Sequence, residues 1–404
     1  MAVRGALMTG TGARSTVAAC TLAVGLAAAL GFVPGYVATS LRADLGLSRA
    51  EVGLIVSLYF GSTGVMSILG GSVTDRIGAR RVIVGDMVVV AACASLAAWW
   101  GDLVGLLLTS VIAGAGYAGV NAATNAAIAA VVDPARRTVA LSVKTGGVPA
   151  MASVAALLGA PLAASTSWRV VWMVVAVLAL CSGVFAFRVL PREAVAVARG
   201  VRRGRAPSGV WWFSLGAFLL VAGSQPLFSW LVPYLEEAVG TSASVAGSVA
   251  SFSAAVGLGL LVVNARSVDR SVEGSKVTRL GSLCIATAVS VVLVMLGSEF
   301  GLVVAVLGGV GGVALQLAAI GTMHALVVER SGGAVAAATG VTMTGYYLGA
   351  LVSPVAFGAL VDATGSYSTG WLALVALLVG STGAWFVGGR VTVVATPDAF
   401  TSRH

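Results

Sequence analysis

The chain has 404 residues, of which 58% are hydrophobic and 10% are charged, and its mean hydropathy is +1.00. A soluble domain of this length needs far more charge to cover its surface, so the composition excludes an ordinary soluble enzyme or binding domain. The formal net charge of +9 is spread over short segments between apolar runs, which argues against a nucleic-acid partner.

Twelve apolar runs of about 20 residues or more, the length that crosses a bilayer as a helix, follow one another along the chain. The first run follows Arg4 and Arg14, as in a signal peptide, but it is long enough to span and is interpreted as the first helix. The sequence therefore predicts an all-α membrane protein. The predicted spans are 17–39, 51–73, 82–101, 104–131, 139–165 and 169–190, then 210–234, 244–266, 278–297, 301–328, 334–361 and 369–389.

The longest hydrophilic segment carries five arginines and separates the two groups of six spans. This predicts an N-terminal six-helix bundle over 1–190, a cytoplasmic linker over 191–209, and a C-terminal six-helix bundle with a short tail over 210–404. With both termini in the cytoplasm, 20 of the 24 Lys and Arg lie on the cytoplasmic side and three lie outside. This is the positive-inside distribution, so we expect a multi-pass protein of the inner (plasma) membrane.

The segment between the second and third spans has a distinctive pattern. It reads Gly71-Ser-Val-Thr-Asp75-Arg76-Ile-Gly78-Ala-Arg80-Arg81. Gly78 permits a tight reversal between two spans, and Asp75 stands where a carboxylate faces a helix end. A basic loop accounts for the arginines but not for the glycines and the Asp-Arg pair. The pattern returns in degenerate form 194 residues later as Ala265-Arg-Ser-Val-Asp269-Arg270.

This pattern closely resembles the signature loop of the major facilitator superfamily. The resemblance covers the whole chain and implies two pseudo-symmetric six-helix bundles that transport a solute by alternating access. It also implies that the acidic residue of the loop, here Asp75, acts as a gate latch against the cytoplasmic end of helix 11. Asp269 is a weaker counterpart, because the second copy lacks the glycines. The gating residues implied are Gly71, Asp75, Arg76, Gly78, Arg80, Arg81, Asp269 and Arg270.

Two departures from the family's patterns bear on the substrate. Ser110 stands four residues before Gly114, where many proton-coupled members have an arginine, and the fifth span has a looser glycine-proline pattern than the drug antiporters. The chain is more similar to the cyanate, monocarboxylate and organic-anion permease branch. We therefore expect a small organic anion as substrate, with the proton as the candidate coupling ion. Efflux of drugs or other amphipathic compounds by proton antiport is the alternative.

Polar and aromatic residues inside the spans are the candidates for the solute path. In the fourth span, Tyr117, Asn121, Thr124 and Asn125 form one stripe at helical spacing. This stripe either lines an aqueous cavity or bonds to a neighbouring helix. The family resemblance places helices 1, 4, 7 and 10 around the cavity, with contributions from 5, 8 and 11. The substrate-binding candidates are Lys144, Tyr36, Tyr117, Asn121, Gln225, Gln316, Tyr346 and Tyr347.

The seventh span contains a proline directly after one of these candidates. Pro226 frees a backbone carbonyl and could bend the helix next to Gln225. Trp230 and Tyr234, further along this span, are either cavity aromatics or interfacial anchors, and anchors are the commoner explanation.

Lys144 is the one cation within a predicted span, about 10 Å from the start of the fifth helix. The acidic residues Asp86, Glu236, Glu329 and Asp362 are all expected close to span ends, which leaves no carboxylate in mid-membrane. Because an intramembrane ionisable residue marks a site, Lys144 is expected to meet a bound anion. The alternative is that its long side chain snorkels to the cytoplasm.

Other classes of function lack their characteristic residues. The sequence has no histidine-rich box, no paired intramembrane aspartates, no serine-histidine arrangement and no nucleotide-binding loop. Its four cysteines are isolated within apolar runs, without metal-ligand spacing. We therefore expect no enzymatic activity, no cofactor, no metal and no nucleic-acid partner. The expected partners are a small-molecule substrate and the lipid bilayer, and the expected oligomeric state is a monomer.

Overall fold

The computed structural model describes residues 10–192, 208–269, 274–331 and 334–391. These residues form fourteen helices and contain no strand. The helices are α1 Gly10–Tyr36, α2 Ala38–Leu45, α3 Arg49–Ile77, α4 Ala79–Trp100, α5 Leu103–Val131, α6 Pro134–Ser165, α7 Trp168–Val189, α8 Trp211–Ser224, α9 Pro226–Glu237, α10 Ala243–Asp269, α11 Ser275–Phe300, α12 Leu302–Glu329, α13 Val335–Thr364 and α14 Tyr367–Val391.

Twelve segments of these helices are long and apolar enough to cross a membrane, which confirms the predicted number of spans. α8 and α9 together form the seventh span, Trp211–Glu237, and α2 is a short helix between the first two spans. The interruption between α8 and α9 falls at Gln225, because Pro226 has no N–H to continue the helical hydrogen bonding. Most of the predicted linker 191–209 and the end of the C-terminal tail lie outside the described residues.

The motif after the second span is mostly helical rather than an extended loop. α3 continues to Ile77 and α4 begins at Ala79, so the reversal consists of Gly78, whose φ is +88°. Few residues other than glycine adopt this φ. The tight reversal that the sequence predicts at Gly78 is therefore confirmed. α3 itself extends four residues beyond the predicted end of the second span at residue 73. Hydropathy detects only the apolar part of a helix, and the polar last turn of α3 continues beyond it.

Capping residues define the helix ends at the end of the bundle opposite to Gly78. Ser48 and Glu51 form a capping box at the start of α3, in which the Ser48 hydroxyl accepts from the Glu51 N–H at 3.2 Å. The Asp102 carboxylate accepts from the Gly105 N–H at 2.8 Å and caps α5. Gly365 ends α13 with a φ of +67°.

The helices pack as two groups that meet along two equivalent interfaces. α1 and α3–α7 pack mainly on one another, as do α8 and α10–α14. Across the two groups, α3 packs on α13 and α6 packs on α10. α3 and α13 are the second and eleventh spans, and α6 and α10 are the fifth and eighth. The pseudo-symmetry of the halves relates the second span to the eighth and the fifth to the eleventh, so it interchanges the two interfaces.

The backbones of α3 and α13 approach closely at one end of their interface and separate toward the other. A Cβ atom added at Gly53 would lie 2.3 Å from the Pro354 carbonyl oxygen, and one added at Gly64 would lie 2.5 Å from the Tyr347 Cβ. Gly71 and Gly340 lie seven residues further along the same helix faces, and a Cβ there would meet nothing within 4 Å. The halves therefore converge at the α2 end and diverge toward the Asp75 end.

Candidate functional site

Charged side chains bridge the halves where they converge. Arg49 of α3 contacts Glu237 at the end of α9 and also donates to Asp362 of α13 at 3.3 Å. Arg42 of α2 lies 2.5 Å from Glu237, and the Ala50 N–H donates to Asp362 at 2.9 Å. We call Arg42, Arg49, Glu237 and Asp362 the outer charge cluster, after the orientation that the distribution of cations in the sequence predicts. These residues are partly exposed, and together they close this end.

A cavity of about 110 Å³ lies between the two halves. Three phenylalanines form part of its wall: the Phe32 ring is 5.6 Å from the Phe60 ring and 5.4 Å from the Phe228 ring. Both halves contribute to the lining, so the cavity lies at their interface. It is lined by Ala28, Phe32, Phe60, Tyr117, Val148, Pro149, Ala152, Gln225, Phe228, Gln316, Leu317, Ile320, Tyr346 and Tyr347.

Two glutamines in the lining have hydrogen-bonding atoms without a partner. Gln225 is 5% exposed and Gln316 is 1% exposed. Among the residues that the structure describes, no group bonds to Gln225 Nε2 or to Gln316 Oε1. Because a buried polar atom without a partner is costly, this donor and this acceptor are free to bind a ligand.

Lys144 lies inside the protein, on α6, and is 3% exposed. Its ammonium donates to Asn121 Oδ1 at 2.5 Å and to Asn125 Oδ1 at 3.1 Å, both on α5. The side chain therefore packs laterally on α5 inside the protein. Lys144 does not itself belong to the cavity lining, but Val148 of α6 and Tyr117 of α5, each one helical turn from the Lys144–Asn121 pair, do.

The charge of Lys144 has no negative partner within the described ranges. Its two hydrogen-bond acceptors are neutral amides, and none of the ion pairs found among the described residues includes it. A charge buried without a counter-charge is expensive in a membrane protein. A bound anion would supply the missing charge.

The structure brings most of the predicted site residues together. Tyr117, Gln225, Gln316, Tyr346 and Tyr347 line the cavity. Lys144 and Asn121 are hydrogen-bonded to each other, one helical turn from the cavity lining. Tyr36 is buried near the end of α1 and does not belong to the lining. Phe60 and Phe228, which the sequence did not single out, do line it, because an apolar aromatic residue in a span looks like any other core residue.

Trp230 and Tyr234 are neither cavity residues nor interfacial anchors. Both are fully buried, with exposed fractions of 1% and 0%. The Trp230 indole donates to the Pro354 carbonyl at 3.1 Å, and the Tyr234 hydroxyl donates to the Val294 carbonyl at 2.5 Å. Both interpretations from sequence were wrong, because these aromatic residues are buried and donate to backbone carbonyls of α13 and α11.

Asp86 corrects the expectation that no carboxylate lies within a span. It is on α4, about 10 Å from the start of the helix, and is 5% exposed. Neither carboxylate oxygen has a hydrogen-bond partner among the described residues. Its carboxylate faces Gly116 of α5, where an added Cβ would lie 2.0 Å from Oδ1. The predicted span begins at residue 82, only four residues before Asp86, so the sequence placed Asp86 near a span end. The helix begins three residues earlier, at Ala79.

The signature motif has few contacts in this arrangement of the halves. Asp75, Arg76 and Arg81 are exposed, and no hydrogen bond or ion pair to Asp75 is found among the described residues. Arg80 donates to the Phe187 carbonyl and lies 4.2 Å from the centre of the Phe187 ring. In the second copy, Asp269 ends α10 and Arg270 lies outside the described residues. The latch role of Asp75 stays a prediction, since its end of the interface is open.

Comparison with known proteins places this architecture among transporters. Residues 16–354 match the family model described as "Major Facilitator Superfamily". The chain is 26% identical to the gentisate transporter of Corynebacterium glutamicum over 258 residues, 59% of this chain and 57% of that protein. It is 25% identical to the hexuronate transporter of Bacillus subtilis over 170 residues, 41% of this chain and 40% of that protein. Both matches thus span less than two thirds of the relative's length.

A solved structure agrees over nearly the whole chain. The inward-facing, occupied structure of a bacterial homologue of the human lysosomal transporter Spinster matches with a TM-score of 0.77 at 17% identity. The match covers 95% of this chain and 98% of that one. At this identity the likeness shows the fold alone.

Proposed function

The chain belongs to the major facilitator superfamily, so it is a multi-pass membrane transporter and not an enzyme, and we propose that it carries a small organic anion. It works by alternating access in the inner (plasma) membrane, with both termini in the cytoplasm. The observation that carries this proposal is the buried ammonium of Lys144 beside the cavity, which has only neutral partners. A carboxylate is the complementary group.

The relatives support this substrate class. The two proteins similar to this chain transport gentisate and hexuronate, which are both anions of organic acids. The uneven interface supports alternating access: Gly53 is in close contact with α13, whereas Gly71 and Gly340 are not in contact across the interface. Such a structure has one end closed and one end open around a central cavity.

Efflux of drugs is the less favoured function. Many such drugs are cationic, and Lys144 would repel them. The charge of Lys144 therefore favours an anion.

Counterflow in proteoliposomes tests the proposal. Vesicles containing the purified protein and loaded with an unlabelled small carboxylate should take up the labelled compound, because exchange requires binding on both sides. Carboxylates should compete for uptake, and uncharged analogues of the same size should not. Proton leak stimulated by amphipathic cations, without carboxylate exchange, would favour the efflux function and overturn the proposal.

Asp75→Asn should reduce the transport rate by about fivefold or more without lowering the amount of protein in the membrane. The change removes one charge from the exposed end of α3, so folding is unaffected, while the closed form of that end loses the proposed latch. Initial uptake rates, normalised to protein in the vesicles, provide the measurement. Asp133→Asn, an exposed aspartate at the same end of the protein, is the matched control. An unchanged rate in Asp75→Asn would remove the latch role.

Asp86 is the best candidate for proton coupling. It is the buried carboxylate of the described chain, its oxygens have no partner, and a lone carboxylate in a span can take up and release a proton. The titratable groups that interact with it electrostatically are Tyr59 of α3 and Cys93 of α4. The Tyr59 hydroxyl donates to the Ala27 carbonyl at 2.6 Å, so it is not bonded to Asp86.

Asp86→Asn should abolish accumulation of substrate driven by a pH gradient and leave counterflow intact. Exchange needs only the solute site, whereas accumulation needs the group that carries the proton. Both activities are measured in the same vesicles with and without an imposed pH gradient. Glu299→Gln, at an exposed carboxylate near the end of α11, should keep both. Accumulation by Asp86→Asn at the wild-type level would exclude Asp86 as the coupling group.

A further inference from the structure

The unpartnered amides of Gln225 and Gln316 belong to the same half of the protein and to adjoining helices. Gln225 directly precedes α9, and Gln316 is on α12. α9 and α12 pack tightly, since a Cβ added at Gly312 would lie 2.9 Å from the Leu227 side chain. Both glutamines line one cavity, so an unpartnered N–H donor and an unpartnered acceptor oxygen belong to the same cavity wall.

One hydroxyl group is the smallest ligand group that satisfies both atoms. Its oxygen accepts from Gln225 Nε2, and its hydrogen is donated to Gln316 Oε1. A carboxylate would satisfy only the donor, and an ammonium only the acceptor. The pair therefore differs in chemistry from Lys144, which lies on the opposite half and suits an anion.

Part of the cavity wall is aromatic. Phe32 and Phe60 come from the N-terminal half and Phe228 from the C-terminal half. Aromatic side chains pack well on a planar ring through stacked or edge contacts. Apart from the glutamines and the tyrosines Tyr117, Tyr346 and Tyr347, the lining side chains are apolar. A sugar acid has more hydroxyls than the two amide atoms can satisfy, and each hydroxyl left unpaired has a cost.

We propose that this transporter recognises an aromatic carboxylate bearing a ring hydroxyl, with the hydroxyl bound by Gln225 and Gln316. This rests on the proposed function, which assigns the carboxylate to Lys144. The ring then bridges the halves, with its carboxylate on the N-terminal half and its hydroxyl on the C-terminal half. A hydroxyl meta or para to the carboxylate reaches across, whereas an ortho hydroxyl lies beside the carboxylate and does not reach the glutamines.

The test compares ligands on the purified full-length protein. Dissociation constants are measured for benzoate, for its ortho, meta and para monohydroxy forms, and for glucuronate. The better of the meta and para forms should bind about 5- to 100-fold more tightly than benzoate, because benzoate leaves both amide atoms unpaired. The ortho form should bind like benzoate, and glucuronate should bind more weakly than any of the hydroxybenzoates.

Variants locate the effect. Gln225→Met and Gln316→Met keep approximate side-chain size and remove the polar atoms, so the advantage of the hydroxyl should fall to about twofold or less while benzoate binding persists. Ser353→Ala removes another buried hydroxyl without a partner, which does not line the cavity, and should leave the advantage unchanged. Retained benzoate binding shows that a variant is folded. The comparison of ligand affinities on the wild-type protein does not depend on any variant.

The outcomes separate this proposal from the one it rests on. Equal affinities for benzoate and all hydroxybenzoates, or a preference for glucuronate, would overturn the hydroxyl assignment while carboxylate binding through Lys144 stands. An advantage of the hydroxyl that survives in both methionine variants would also overturn it. Absence of binding by every carboxylate would overturn the proposed function, and the hydroxyl assignment with it.

Discussion

Replacing Lys144 with alanine is expected to abolish binding of the anionic substrate. The ammonium is buried beside the cavity and held by two neutral amides, so a bound carboxylate would be its only counter-charge among the described residues. Removing one member of a buried, hydrogen-bonded charge pair costs about 2–5 kcal/mol, which corresponds to a loss of about 30-fold or more in affinity. Lys144→Arg keeps the charge and should keep part of the affinity.

The affinity of each variant can be read from substrate-dependent thermal stability and from counterflow. Lys276→Ala is the matched control, since Lys276 pairs with Glu329 and does not line the cavity. This variant should bind the substrate like the wild type. Transport by Lys144→Ala at the wild-type rate and affinity would show that Lys144 only supports the packing of α5 on α6. The proposal of an anionic substrate would then lose the observation on which it rests.

The substitution Gly53→Ala is expected to open the outer end of the protein. A methyl group there would lie 2.3 Å from the Pro354 carbonyl oxygen and 2.7 Å from the Val355 Cα, which are backbone atoms and cannot rotate away. Overpacking of this kind costs about 1–3 kcal/mol. The clash exists only while α3 and α13 are in contact, so it raises the free energy of the form in which this end is closed. The equilibrium between the forms with this end closed and open should shift toward the open form by about 5- to 150-fold.

Labelling from outside the membrane measures this shift. The native cysteines Cys20, Cys93, Cys181 and Cys284 are first replaced, and Ala152→Cys then places one thiol on the cavity wall. An impermeant thiol reagent added outside should label this cysteine faster in Gly53→Ala than in the parent.

A second glycine provides the control for this substitution. Gly259→Ala, at a helical glycine with nothing within 4 Å, should leave the labelling rate unchanged. Equal labelling rates in Gly53→Ala and its parent would show that the contact at Gly53 does not limit opening.

Much of the fold could be predicted from the sequence, because a bilayer imposes long apolar helices and a bias of cations to one side. The twelve spans and the turn at Gly78 follow from such local rules. The polar last turn of α3 was not predicted, because hydropathy does not detect polar helical turns. The surroundings of Asp86 were missed because burial depends on the α5 backbone at Gly116, which is distant in sequence.

The candidate site divides in the same way. Gln225, Gln316 and Lys144 stood out as polar residues in apolar spans, where each needs a reason to be present. Phe60 and Phe228 did not, because apolar aromatic residues are ordinary in a span and only the fold shows which of them face the cavity. The pairing of Lys144 with Asn121 was also beyond the sequence, since it depends on the rotation of α6 relative to α5.

The neutral partners of Lys144 have an electrical consequence. With a monovalent carboxylate bound, the site carries no net charge, but the empty site carries one positive charge. A full crossing of the membrane by one charge exchanges about 2.3 kcal/mol per 100 mV, and a rocking carrier moves its site through part of that field. While Asp86 is protonated, the membrane potential therefore acts on the return of the empty carrier and not on the loaded step, whereas a deprotonated Asp86 would cancel the charge of Lys144. A negative interior would hold the empty site toward the cytoplasm, waiting for the next anion on that side.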